Sequence, residues 1–333
     1  MAAPASSLVL VLGMHRSGTS ALAGLLSLAG VDFGERLIPA DASVNAKGFW
    51  EHEEIVAVHD RVFSHLGRSW QDPRPLPEGW TEQPALETFR DELAAIVRRD
   101  FSGGGVWGLK DPRLCRLLPL WRPIFEELNV APRVAMILRH PLEVAASLHR
   151  RDRIDIGRAL LLWLRHVGES ARNAAPFPTV VLTYQALLDD WKTALGRVSE
   201  QLGLPPAPDA AALKAKAAEF VEPGLRHHVT SDEAAMRHPL LPLAQRLYDA
   251  SAGREQLEEV WFNACANVDV LAPAVVQWSA EAEALSAEIS RLSARERYLS
   301  SEVDRVKSTW SWRITGPFRA ARNLLRGRKR GAS

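Results

Sequence analysis

The residues best placed to do chemistry form one run, Gly13-Met14-His15-Arg16-Ser17-Gly18-Thr19-Ser20, after a β-prone stretch and ahead of a leucine-rich helix pattern. Two glycines let the backbone curl so that amide N–H groups converge, and a helix N-terminus adds positive potential where a phosphate would sit. Thr19 and Ser20 can offer hydroxyl donors to the same oxygens. The glycine spacing is that of a nucleoside-triphosphate loop, Gly-x-x-x-x-Gly-Lys-Ser/Thr. Here Thr19 stands in the lysine position and the cation comes earlier, at Arg16. A triphosphate-cleaving site needs that lysine, and an aspartate at a neighbouring strand end to hold magnesium. The neighbouring strand pattern, residues 133–138, ends in Arg139 instead. Cations stand where a magnesium enzyme would offer a carboxylate.

Arg139 opens a second constellation, Arg139-His140-Pro141-Leu142-Glu143-Val144-Ala145-Ala146-Ser147. Pro141 suits the first turn of a helix, which puts Ser147 about two turns along it. An arginine at a strand end and a serine on the following helix can together grip a second, separate phosphate. The two motifs, in this order and context, resemble the two cofactor signatures of the sulfotransferases that use 3′-phosphoadenosine-5′-phosphosulfate (PAPS). The resemblance extends over residues 7 to about 265 and includes the strand–helix continuation around Tyr184, Leu187 and Leu188. It implies that Arg16, Ser17, Gly18, Thr19 and Ser20 hold the 5′-phosphosulfate, that Arg139 and Ser147 hold the 3′-phosphate, and that Tyr184 lies at the cofactor. It further implies PAPS as donor, PAP as product, and no metal.

The same resemblance directs attention to Gly108-Leu109-Lys110-Asp111-Pro112-Arg113, which is similar to a Lys-x-Pro segment of the carbohydrate and tyrosylprotein branches. There the lysine lies near the transferring sulfonate, the role implied for Lys110. A structural ion pair between Lys110 and Asp111 is the competing reading. Those branches use a glutamate base, and the estrogen-type branch a histidine. Glu51, at the start of a helix pattern, is the first candidate. His59, on that helix's apolar face, and Glu53 stand beside it. Glu53 and Glu54 can equally serve the helix dipole, and a histidine on an apolar face can be a satisfied core residue. Arg226, in Gly224-Leu225-Arg226-His227-His228, is either a late cofactor contact or part of a solvated basic turn. Eleven tryptophans are many for this length, and Trp50, Trp70 and Trp80 cluster where an acceptor would bind. Core packing is the alternative use of each.

These groups need a scaffold. Strand patterns at residues 8–12, 106–109, 133–138 and 179–184 lack internal alternation and are separated by helix patterns at 20–28, 114–128, 142–149, 156–172 and 186–202. That arrangement predicts an α/β fold: a P-loop-like parallel sheet with helices on both faces, followed by helices only from about residue 205. Residues 278–310 then carry apolar side chains spaced alternately by four and three, interrupted only at Glu296. This predicts either a coiled coil or a single amphipathic helix packed on its own domain. The expected divisions are a sulfotransferase domain (1–270), a coiled-coil helix (271–312) and a basic tail (313–333).

Composition bounds the rest. With 333 residues and 47% hydrophobic content a sizeable core can form. Forty-one Lys plus Arg against forty Asp plus Glu argue against a nucleic-acid partner for the whole chain. Two cysteines suit a reducing cytosol, and no stretch reads as a signal peptide or membrane span. The basic tail could meet an anionic membrane surface, giving a cytoplasmic protein peripheral at the inner membrane. The resemblance implies sulfonate transfer to a hydroxyl, and its likeness to the carbohydrate branch implies a bacterial glycan or glycoconjugate as acceptor. The heptad pattern would allow a homodimer or a glycosyltransferase partner through the coiled coil. Two rivals stand: a magnesium-dependent kinase of a small molecule on the same loop, and a non-catalytic scaffold for polysaccharide-assembly enzymes.

Overall fold

The computed structural model describes residues 7–41, 48–217, 220–221, 236–253, 257–309 and 314–315. Its centre is a sheet of four parallel strands in the order β2-β1-β3-β4: β1 (Ser7–Leu12), β2 (Val106–Lys110), β3 (Ala131–Leu138) and β4 (Thr179–Thr183). The lack of alternation in the strand sequences has a direct cause, because both faces are covered. Leu8, Leu10 and Leu12 of β1 turn into one core and Val9 and Val11 into the other, all at 0% exposure. The first core packs against α2 (Glu53–His65), α3 (Ala85–Asp100), α4 (Leu114–Glu127), α5 (Pro141–Asp152) and α6 (Ile156–Ala174). The second packs against α1 (Thr19–Leu28) and α8 (Trp191–Gln201).

The predicted helix over 186–202 is two helices, α7 (Tyr184–Asp189) and α8. Asp190 breaks the run with φ −150° and ψ 84°, and its carboxylate accepts the amide hydrogens of Lys192 and Thr193 as the cap of α8. Beyond these lie α9 (Ala210–Lys216), α10 (Leu241–Gly253) and α11 (Leu257–Ser308).

The chain divides into two compact units, residues 1–276 and 277–333. The first exceeds the expected 1–270 because early α11 belongs to its core: Val268 and Ala272 are fully buried, and Asp269 receives a hydrogen bond from Arg165 at 2.5 Å. In the second unit the described residues are the remainder of α11, Thr309 and residues 314–315. The basic tail after residue 315 lies outside the described residues.

Strand order fixes the site. The chain leaves β1 toward β2 on one side and returns to β3 on the other, so a crevice opens between the carboxyl ends of β1 and β3. In open parallel sheets such a switch point is where ligands bind. The loop after β1 begins at Gly13, and the segment after β3 begins at Arg139.

Candidate anion-binding and transfer site

The Gly13–Gly18 turn links β1 to α1. Gly18 caps α1 in the left-handed region, at φ 91°, and a Cβ there would lie 2.2 Å from Cδ2 of Tyr184. Tyr184 thus lies against the loop, and only glycine fits above its ring. Arg16 also adopts positive φ, 69°, which is uncommon for a residue with a side chain. Its carbonyl accepts a hydrogen bond from Nη1 of Arg139 at 3.2 Å, and its own Nε donates to Oγ of Ser147 at 2.9 Å. The two motifs therefore meet in space although 131 positions separate Arg16 from Ser147.

Arg139 is almost buried, at 8% exposure. Its Nε donates to Glu143 at 2.7 Å and its guanidinium lies 4.9 Å from the centre of the Tyr184 ring. Nη2, by contrast, is buried with no hydrogen-bond partner, and so is Oγ of Ser17 in the first loop. Buried polar atoms without partners are few in folded proteins, and each calls for a reason. Positive charge collects here too. Burial, then the neighbouring Arg151 and Arg139 cations, pull the Arg16 guanidinium below its ordinary value. An anion in the crevice would accept from the orphaned donors and offset that crowding.

Beside the loop is a second cluster. Lys110, the last residue of β2, is 4% exposed and donates to Oε1 of Glu51 at 2.5 Å, to the Phe49 carbonyl at 2.8 Å and to Oγ of Ser20 at 3.2 Å. Ser20 in turn donates to the same Phe49 carbonyl at 3.3 Å. Glu51 is 7% exposed, with Arg113 Nη1 3.9 Å from its other oxygen. Burial raises the Glu51 pKa, and the adjacent Lys110 cation opposes that rise without cancelling it. Trp50, just before it, holds positive φ at 59°.

Glu53 and Glu54 occupy the first turn of α2; Glu54 pairs on the exterior with Arg36 and Arg99. His59 is fully buried and used at both nitrogens: Nδ1 bonds Asp111 at 2.7 Å and Nε2 accepts from the Trp121 indole at 2.9 Å. Asp111 points to His59 and Arg113 rather than to Lys110, and Arg113, with His59, holds its carboxyl well below the usual range. The structure thus brings together Arg16, Ser17, Gly18, Thr19, Ser20, Arg139, Ser147 and Tyr184 with Lys110 and Glu51, and leaves His59 in the core. Arg226 lies outside the described residues.

Of the tryptophans, Trp70 lies tilted by 37° against the loop residue His15 with centroids 4.2 Å apart, and Arg151 lies 5.8 Å from the same ring. Trp50 packs edge-on to Phe33 and Phe220, and Trp80 lies half-buried against the first core. The sequence reading missed Arg113 and Arg151. The i, i+4 spacing of Arg151 from Ser147 on α5 was the available signal. Among the described residues no group of three or more His, Cys, Asp or Glu side chains is arranged to hold a metal ion, and no helix is long and apolar enough to cross a membrane.

Fold and site together define an α/β protein with a cationic crevice at its switch point. Among solved structures, the chain is similar to the sulfotransferase domain from the curacin biosynthetic pathway (16% identity over 76% of this chain and 99% of that one, TM-score 0.40). It is similar also to the sulfotransferase domain from the Synechococcus PCC 7002 olefin synthase (15%, 80% and 94%, TM-score 0.41) and to mouse sulfotransferase SULT7A1 complexed with PAP (14%, 78% and 88%, TM-score 0.35). No protein-family model and no curated protein matches the chain. What the site does is read from its own residues.

Proposed function

We propose that the protein is a sulfotransferase that takes a sulfonate group from PAPS to a hydroxyl of a glycan or glycoconjugate. The observation that carries this reading is the pair of buried, unpartnered donors, Ser17 Oγ and Arg139 Nη2, one in each phosphate motif of one crevice. Two separate anionic groups on one ligand fit two such motifs. The bound donor would supply an electrophilic sulfonate and a phosphate leaving group. The first loop would hold the 5′ end through Arg16, Ser17, Gly18, Thr19 and Ser20. Arg139 and Ser147 would hold the 3′-phosphate, beside Tyr184.

Lys110, buried beside the loop serine Ser20, would stabilise the charge that builds on a leaving oxygen, and a buried cation does so far better than an exposed one. Glu51, raised in pKa by burial, is suited to take the proton of the attacking hydroxyl. His59 cannot do so as it stands, since Asp111 and Trp121 occupy both its nitrogens. A triphosphate kinase is disfavoured by Thr19 in the lysine position and Arg139 at the strand end. The glycan acceptor, the cytoplasmic setting, the anionic membrane surface for the basic tail and a glycosyltransferase partner belong to the same reading and rest on the sequence. Incubation with radiolabelled PAPS and glycans of the producing organism tests it: label should reach glycan in excess EDTA. Absence of PAPS binding would leave the scaffold reading, and magnesium-dependent transfer of label from γ-labelled ATP, with none from PAPS, would favour the kinase-like one.

A further inference from the structure

Within the second unit, α11 presents an apolar seam with nothing packed on its described part. Leu292, Leu299 and Val303 are 55%, 51% and 50% exposed. Such side chains at regular spacing on a helix 52 residues long mark a contact surface rather than scattered surface apolar residues. The heptad register identifies the occupant. Alternate spacings of three and four put Ala282, Ile289, Glu296 and Val303 at a, and Leu285, Leu292, Leu299 and Val306 at d. Two of the four a residues are thus β-branched and three of the four d residues are leucine. β-Branched residues at a with leucine at d favour two parallel strands.

The flanking charges agree with the same arrangement. In a parallel pair, a g residue faces the e residue five positions later on the other strand. Glu302 at g, which pairs with Arg305 one turn along its own exposed helix face, then lies opposite Lys307 at e of the second copy, itself 3.9 Å from Asp304 in its own chain, and the pair repeats by symmetry. The remaining e positions, Ser286, Ser293 and Ser300, oppose no charge to Glu288 or Arg295. Glu296, the polar a residue, has Arg295 at the adjoining g position, where the second copy's arginine can reach it. A lone polar a residue costs stability and fixes register.

We infer that residues 282–306 form a parallel, in-register, two-stranded coiled coil with a second copy of this chain. The full chain should have a dimer mass by light scattering at micromolar concentration. Leu292→Asp with Leu299→Asp should make it a monomer with unchanged PAP-induced stabilisation of the first unit. Glu302→Lys alone and Lys307→Glu alone should each weaken the dimer several-fold, and mixing the two variants should restore it as a heterodimer. A wild-type monomer, a dimer that survives the double aspartate variant, or a charge-swapped mixture without rescue would each overturn the inference. Association only with another protein would assign the seam to a different partner and overturn it equally. None of these outcomes depends on sulfonate transfer.

Discussion

Arg139→Ala is the sharpest probe of the crevice, because the three arms of this guanidinium have separate uses. Nε is engaged by Glu143 at 2.7 Å and Nη1 by the Arg16 carbonyl at 3.2 Å, while Nη2 has no partner. A 3′-phosphate would take the free arm. Hydrogen bonds to charged groups are worth about 1.5–3 kcal/mol, so truncation should weaken PAP binding roughly ten- to 150-fold. Lysine cannot replace the fork: one ammonium cannot hold Glu143, the loop carbonyl and the ligand in one plane, so Arg139→Lys should recover only part of the loss. The assay is calorimetric titration with PAP and with adenosine 5′-phosphosulfate, which lacks the 3′-phosphate. Thermal stabilisation is a second readout, since ligand at a hundred times Kd adds about 2.7 kcal/mol. The wild type should bind PAP much more tightly than the phosphosulfate, and the variant should lose most of that difference. Equal affinity of the wild type for both compounds, or equal weakening of both by the substitution, would refute a 3′-phosphate role for Arg139.

The remaining predictions concern the chemistry. Glu51→Gln keeps the shape but removes the base, so turnover should fall roughly 10²–10⁴-fold in a transfer assay while PAP affinity barely changes. A base must be ionised to work and burial raises the Glu51 pKa above its ordinary 4.5, so wild-type turnover should fall with acid through a midpoint above that value. The limb should vanish from the pH profile of the glutamine variant. Lys110→Ala should lower turnover more than it weakens PAP binding, because its charge matters most as the leaving oxygen becomes anionic. Near-native turnover in Glu51→Gln, with loss in a folded His59→Asn, would move the base to the histidine.

Much of this site was legible because its motifs are local. A strand, a glycine turn and a helix can be read from the twenty-one consecutive letters 8–28, and Arg139 with Ser147 from nine. What joins them is not local. That Arg16 bonds Ser147, or that Tyr184 lies under Gly18, follows from the strand order β2-β1-β3-β4, which no window of sequence contains. The base was ambiguous for a related reason. Glu51, Glu53 and His59 are close in sequence, and only the packing of α2 turns His59 toward Trp121 and Asp111 while Glu51 faces Lys110. The break at Asp190 was missed because helix periodicity on either side is in phase enough to look continuous, whereas the cap depends on one residue's backbone.

The Phe49–Glu51 segment shows how a distant loop is made to serve the crevice. Trp50 holds φ at 59°, a conformation that costs a bulky side chain on the order of 1–3 kcal/mol. The strain persists only if its surroundings repay it, and they do so on both sides. The preceding carbonyl, that of Phe49, accepts from both Lys110 and Ser20, and the following carboxylate, that of Glu51, accepts from Lys110 again. The Trp50 ring is held meanwhile between Phe33 and Phe220. Reversing the chain direction at one residue is what lets a backbone carbonyl and the next side chain converge on a single ammonium. An extended residue at position 50 would send Phe49's carbonyl and Glu51's carboxylate to different neighbours. Lys110 would then sit buried with fewer acceptors than its three donors require, and the loop serine and the carboxylate would no longer share a cation.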